Sequence, residues 1–345
     1  MPLAKDPAVP PDRVLLRGEH PVDLLAGASV RNVEWMEPWP PSGRQVVLVH
    51  GDHRAVVVEV GGGIRSYHAG GRSVVDGYSE DQVCSGGRGQ PLLPWPNRLA
   101  DGRYQWGGTT LQLAINEPAT STAIHGLTRW SRWDTLASAT SWATMAHRLV
   151  AQPGYPWTLD ATITYRLDDR GLSVSTSVVN RSADAAPFGI GFHPYLAAFG
   201  GVVDDCTLTL PAAEVYEVDT RGLPTGLRDV GGGPDDYRSG CIIGGRHLDL
   251  PLTGMERGGD GLARALLESP ADSDAQGRRT TLWMDEAFTH VQVYSGDTLD
   301  EEGRRRRALA VEPMTGPANL LASGDGRITL EPGEAFSAAW GIEPG

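Results

Sequence analysis

Glu312, His193, His125 and Arg98 are the residues of this chain whose types and settings suit proton-transfer chemistry. Glu312 follows an apolar run in LAVEPMTGPANLL (Leu309 to Leu321) and stands directly before Pro313. A carboxylate at the end of a core-bound strand is costly to bury unless something pairs with it or uses it. His193 lies in FGIGFHPYL, where Gly189 and Gly191 let the backbone bend and set the ring at a cleft wall. His125 precedes Gly126 in AIHGLTRW. Asn97 and Arg98 occupy PLLPWPNRLADGRYQWGG, between prolines and a glycine turn, a setting that holds a guanidinium as a fixed fork of donors. Each alone also fits a plain role: a solvated Glu past a strand end, a core histidine, a surface arginine. Together they supply one carboxylate, two imidazoles and one guanidinium at strand ends and turns. That set fits general acid–base work on a polyhydroxylated substrate. No Ser-His-Asp elbow and no H-E-x-x-H segment competes with it.

The elements that must position these groups read as strands. QVVLVH, the turn Gly51-Asp52 and AVVVEV form one hairpin pattern; DATITYRL, Asp168 to Gly171 and LSVSTSVVN form a clearer one. CTLTL, TTLWM, HVQVY, ALAVE, RITLE and FSAAWGI add further short segments separated by Gly, Asp and Pro. With 44 Gly and 25 Pro in 345 residues, turns are frequent and long helices scarce. The expected fold class is all-β, a large antiparallel β-sandwich. No repeat of propeller length occurs, and the glycine cluster Gly231 to Gly233 precedes Pro234 rather than a helix, which argues against a nucleotide-binding loop. Residues 1–42 are Pro-rich with weak periodicity and read as a partly ordered or flexible extension; 43–345 read as a single sandwich domain.

Charge and composition exclude several classes. A formal net charge of −13 disfavours nucleic acid and anionic membrane as partners. The run Arg304 to Arg307 lies beside Asp300, Glu301 and Glu302 and reads as a solvated, locally balanced loop. Lys5 is the only lysine and lies in the Pro-rich tail, which leaves Schiff-base and pyridoxal chemistry without a credible nucleophile. Cys84, Cys206 and Cys241 are too scattered for a disulfide framework or zinc knuckle. No signal-peptide core and no bilayer-length apolar run is visible, so a cytoplasmic location is expected.

NRLADGRYQWGG with LQLAINEP, then IHGL, GFHPYL and AVEPMTGPANLL, with a terminal LEPGE and WGI, together resemble the aldose 1-epimerase (galactose mutarotase) family from about Val46 to Ile342. The resemblance implies the galactose mutarotase-like supersandwich, with a concave face that binds a monosaccharide and no cofactor or metal. It implies Glu312 as general base and His193 as general acid, with His125, Arg98 and Asn97 contacting sugar hydroxyls. It further implies Asp249 in HLDLPL and Gln292 in HVQVYSG as sugar-binding residues. Leu196 and Ala197 stand where the family often has Phe and Asn, a departure that touches sugar preference more than reaction. Glu312 is then expected where its strand meets the cleft, ionised at neutral pH with a reference pKa of about 4.3, Pro313 stiffening the turn that aims it.

The function implied is interconversion of the α- and β-anomers of a free aldohexose by a monomer or homodimer. Two alternatives stay open: a hexose-6-phosphate 1-epimerase, with Arg88, Arg129 or Arg132 facing the phosphate, and a non-catalytic carbohydrate-binding protein on the same fold. The presence of both Glu312 and His193 argues against the latter, because binding alone does not require that pair.

Overall fold

Each alternating segment singled out in the sequence forms a strand. The computed structural model describes residues 39–270, 278–299, 303 and 305–345. The extension expected over 1–42 therefore falls outside the described residues as far as residue 38, and so do residues 300–302 and Arg304 of the charged loop. Both hairpins form about the expected turns, with Gln45 opposite Val58 and Leu159 opposite Asn180. In the second, the Asp168 carboxylate accepts the backbone N–H groups of Arg170 and Gly171, which locks a two-residue turn. Among the described residues the α-helical content is one four-residue turn, Leu320–Ser323. No helix among them is long and apolar enough to cross a membrane.

Two large antiparallel sheets carry the architecture. A nine-stranded sheet contains both strands of the Leu159–Asp168 and Gly171–Asn180 hairpin and the C-terminal strand Ala335–Pro344. The second, eight-stranded sheet builds the candidate site. Its strands in chain order are β1 (Pro91–Leu92), β2 (Gly191–Phe192), β3 (Tyr195–Ala197), β4 (Ala212–Val218) and β5 (Pro224–Asp229), then β6 (Asp249–Met255), β7 (His290–Tyr294) and β8 (Ala308–Met314). Across the sheet the order is β5-β4-β6-β7-β8-β2-β1, with β3 also pairing β8.

Side-chain alternation divides this sheet into two chemically different faces. Leu252, Val291, Val293, Leu309 and Val311 are buried in one apolar core with Val174, Leu282 and Trp340 of the nine-stranded sheet. Phe192 of β2 meets Trp340 directly, ring centroids 5.2 Å apart. The intervening positions, Asp249, Gln292, Tyr294 and Glu312, therefore share the opposite face. On adjacent strands Gln292 is directly opposite Glu312, and Tyr294 is opposite both Asp249 and Ala310. One face makes the core and the other is free to make a polar cleft.

The charged loop is not simply solvated. Arg306 binds the carboxylates of Asp204 at 2.6 Å and Asp297 at 2.7 Å and donates to the Gly244 carbonyl at 2.8 Å. A side chain that joins three separate segments is an anchor. The reason is tertiary, since Asp204 and Gly244 are remote in sequence.

Candidate active site

β8 places Glu312 inside the sheet, not at its end. All seven residues of Ala308–Met314 are buried, and Pro313 lies within the strand, opposite Val291. The expectation of a strand end and an aiming turn is therefore corrected. Proline is tolerated here because the neighbour on that side is interrupted. Val311 and Thr315 donate their N–H groups to Pro194 and Ile190, so the missing N–H of Pro313 faces the break between β2 and β3. That same break carries His193.

His193 Nε2 lies 3.4 Å from Glu312 Oε1, with both side chains nearly inaccessible to solvent. The ring stacks on Tyr195 at 4.9 Å and meets His125 edge-on at 5.4 Å. Its backbone is fixed between β-segments, N–H to Gln90 O and carbonyl to Gly89 N–H. Among the described residues Glu312 Oε2 and His193 Nδ1 are buried without a hydrogen-bond partner. Buried polar atoms left in this state are costly unless a ligand or water satisfies them.

Burial pushes the Glu312 carboxyl well above the ordinary range, and the Asp249 carboxylate adds to the effect, while Arg98 and Arg129 oppose it. Burial, with Arg129 and Arg88, pulls His193 down to about 3. The expectation of a Glu312 ionised as in water is thus corrected. Burial favours the uncharged forms of both groups, because neither charge is solvated there. The raised proton affinity makes Glu312 a stronger base than a surface glutamate once it is ionised.

The other candidates converge on the same cavity, of about 420 Å³. Asn97 Nδ2 donates to Gln292 Oε1 at 3.2 Å, and Gln292 Nε2 donates to Asp249 Oδ1 at 2.6 Å. This chain spans three segments and fixes the amide orientations. Asn97 N–H donates to His125 Nδ1 at 3.2 Å, and His125 N–H donates to Asn97 O at 3.0 Å. An acceptor Nδ1 requires the neutral His125 to carry its proton on Nε2, making it a hydrogen-bond donor. Burial, then Arg129, His193 and Arg98, hold His125 well below its usual pKa, consistent with that neutral form. Asn97 and His125 both adopt positive φ, 54° and 64°, the strain being held by their reciprocal bonds.

Arg98 is only partly available to a ligand. Its Nε and Nη2 are occupied by a bidentate pair with Glu117 at 2.7 and 2.9 Å, while Nη1 lies 4.0 Å from Asp249. Burial opposes ionisation of Glu117, but hydrogen bonds from Arg98, Thr120 and Thr122 outweigh it and hold its pKa at about 2. Glu117 thus stabilises the fold above pH ~4.5, and that contribution is lost as pH falls through about 2. In Arg98→Ala the stability loss between those pH values should shrink, measured by urea unfolding at each pH. Its KM should rise about tenfold or more, with a smaller effect on kcat.

Sequence reasoning did not assign Glu117, Tyr195, Tyr294 or His247, all of which line the cavity. Period-two alternation could have flagged His247 from Asp249 and Tyr294 from Gln292. Glu117 had no local signal beyond its place in LQLAINEP. Arg88 and Arg132 stand away from the cavity lining: Arg88 binds Asp76 at 3.2 Å and covers Tyr195 from 5.7 Å, and Arg132 pairs with Glu59 at 2.6 Å. Arg129 does line the cavity, with Nε bound to Gln90 Oε1 at 2.9 Å.

Gly87 backs the His193 ring. Its φ is +72°, and a Cβ there would lie 2.8 Å from His193 Cδ2. Gly87→Ala should lower kcat about tenfold by displacing the ring and lower stability by about 1–3 kcal/mol. Steady-state kinetics beside urea melts test this, and an unchanged kcat would show the ring position to be unimportant.

Residues 44–342 match the family model described as aldose 1-epimerase. The chain belongs to the aldose 1-epimerase family. This family member is 34% identical over 294 residues to the Escherichia coli K12 protein named uncharacterized protein YihR, covering 85% of this chain and 91% of that one. Its fold is similar to that of the galactose mutarotase/aldose epimerase homologue from C. elegans, with TM-score 0.77 and 18% identity over 88% of this chain and 98% of that one. It is also similar to galactose 1-epimerase from Lactobacillus acidophilus NCFM, with TM-score 0.72 and 20% identity over 87% and 94% of the two chains.

Proposed function

We propose that this aldose 1-epimerase family member interconverts the α- and β-anomers of an unphosphorylated aldohexose by general acid–base catalysis. The observation that carries this reading is the buried pair itself, His193 Nε2 and Glu312 Oε1 3.4 Å apart at the floor of a polar cleft. The hydroxyl and ring oxygens of a hemiacetal are joined through one carbon, so two groups this close can address both together.

In the proposed mechanism the one proton of the uncharged pair passes from Glu312 to His193 Nε2 across the 3.4 Å gap as the sugar binds, and Glu312 then takes the proton of the anomeric hydroxyl as His193 gives one to the ring oxygen. The C1–ring oxygen bond breaks and the anomeric oxygen becomes the aldehyde carbonyl. Rotation about C1–C2 presents the other carbonyl face. In closure Glu312 returns a proton to the carbonyl oxygen and His193 takes one from the ring-closing hydroxyl. Proton count and starting protonation are restored each cycle, and no electrons leave the substrate. A bound sugar supplies hydrogen bonds to the ionised Glu312, whose Oε2 has no partner among the described residues, and so favours the reactive state. His125 Nε2–H, Asn97, Gln292, Asp249 and the free side of Arg98 hold the sugar hydroxyls in register.

The phosphorylated-sugar alternative lacks support in the charge distribution. Of its three arginines only Arg129 lines the cavity, and Glu117, Asp249 and Glu312 line it as well. Exchange NMR after chelation, over a panel of aldoses, tests the proposal. Faster exchange between anomers of at least one free aldohexose is expected. No acceleration of any aldose would overturn the reading, and acceleration confined to 6-phosphates would replace the substrate class.

A further inference from the structure

We infer that the chain carries a second ligand site, an arginine-walled cavity that binds a small anion of the phosphate-monoester class. The cavity, about 280 Å³, lies between the turn after Ile64–Ala69, the end of β3, the start of Arg279–Met284 and the residue before β8. Arg72, Arg278, Arg279 and Arg307 all line it. Arg307 immediately precedes β8, so along the extended strand it lies about 17 Å from Glu312. Residues of the catalytic cleft are absent from this lining.

These four arginines lack the close carboxylate partners that many others in the chain have. Arg98, Arg148, Arg181, Arg238, Arg264 and Arg306 each hold a carboxylate within 3 Å. Among the described residues no ion pair is formed by Arg72, Arg278, Arg279 or Arg307; Arg278 Nη1 donates only to the Phe199 carbonyl, at 3.3 Å. Two acidic groups border the cavity, the Asp76 side chain, which is bound to Arg88, and the backbone carboxylate of Gly345, so the four arginines outnumber them. Four like charges around one concavity repel each other, most strongly where low-dielectric walls focus the field. On a chain of net charge −13 this is a local reversal of sign. A ligand that brings two negative charges and several acceptor oxygens removes the repulsion, and the guanidinium fork matches phosphate geometry. Gly200 and Gly201 leave one wall without side chains, and the volume suits a phosphate with a short carbon skeleton better than a nucleotide.

Titration calorimetry of the full chain at constant ionic strength, with inorganic phosphate and with glycerol 3-phosphate, tests the site. Saturable binding with Kd of about 1 mM or below is expected for at least one probe, with Tm raised by about 2 °C at saturation. Equal affinities assign the site to free phosphate, and tighter ester binding assigns it to an esterified metabolite; both support the proposal. Arg279→Ser with Arg307→Ser, two exposed side chains, should weaken binding about tenfold or more. Arg72→Ser, also exposed, provides an independent variant. Binding should persist in Glu312→Gln and in the presence of a saturating free aldose, whatever the outcome of the anomerisation assay. Absence of saturable binding below 10 mM, on the order of ten times the expected Kd, would overturn the proposal. So would binding unchanged in the arginine variants, or displaced by the free aldose.

Discussion

Glu312→Gln should lower kcat by about 10²- to 10³-fold while KM changes much less. Glutamine keeps the shape and one acceptor oxygen but has no basic carboxylate, so only the transition-state proton transfer is removed. Stability should move the opposite way. The folded-state pKa of Glu312 is raised, so its favourable protonated form is fully available below the unfolded value of about 4.3 and is lost as pH rises through the folded pKa. At pH 7 the wild type therefore carries the strain of a buried carboxyl that the variant avoids, and the Tm of Glu312→Gln should equal or exceed that of the wild type. The proposed mechanism needs one proton on the Glu312–His193 pair, so kcat/KM should fall at high pH on a limb above the ordinary carboxylate range, where the pair loses that proton. Asp249→Asn should shift that limb downward, because the Asp249 carboxylate is one of the causes of the elevation. A folded Glu312→Gln protein with wild-type kcat would refute the assigned role, as would a limb at the pKa of an exposed glutamate.

The second large effect is expected for His193→Asn, again about 10²-fold or more in kcat. Asparagine retains an N–H donor but cannot give a proton to the ring oxygen and take it back in closure. In the proposed mechanism Glu312 and His193 act on one proton-transfer event, so the double variant should be scarcely slower than either single one. Multiplying losses would instead mean independent roles. Loss of the stack on Tyr195 also removes packing, so urea melts must accompany the kinetics. The pH signature separates the contributions. His193 is depressed to about 3, so its stabilising effect is present above pH ~6.5 and is lost as pH falls toward the folded value. The variant should therefore lose less stability than the wild type between pH 6.5 and 3.

Local patterning made much of this protein legible. Alternation in HVQVY and ALAVE marked both segments as strands, and Asp168 with Gly171 specified a tight hairpin. These are short-range consequences of pleating and turn chemistry, and they need no knowledge of the partner strands. The charge balance likewise disfavoured anionic partners from composition alone, but it concealed the arginine-walled cavity, since net charge carries no positions.

Tertiary structure decided where those faces meet. Nothing in LAVEPM says that β8 has an interrupted neighbour, yet that interruption accommodates Pro313 and delivers His193 to within 3.4 Å of Glu312. The same is true of Arg98, read as a free donor fork but held by Glu117, and of Arg306, read as solvated but clamped by Asp204 and Asp297. The proton affinity of Glu312 was also invisible in the sequence, because it is set by water exclusion and by a carboxylate on another strand. Strand alternation fixes which way a side chain points; burial and long-range pairing fix its charge, its partner and therefore its chemistry.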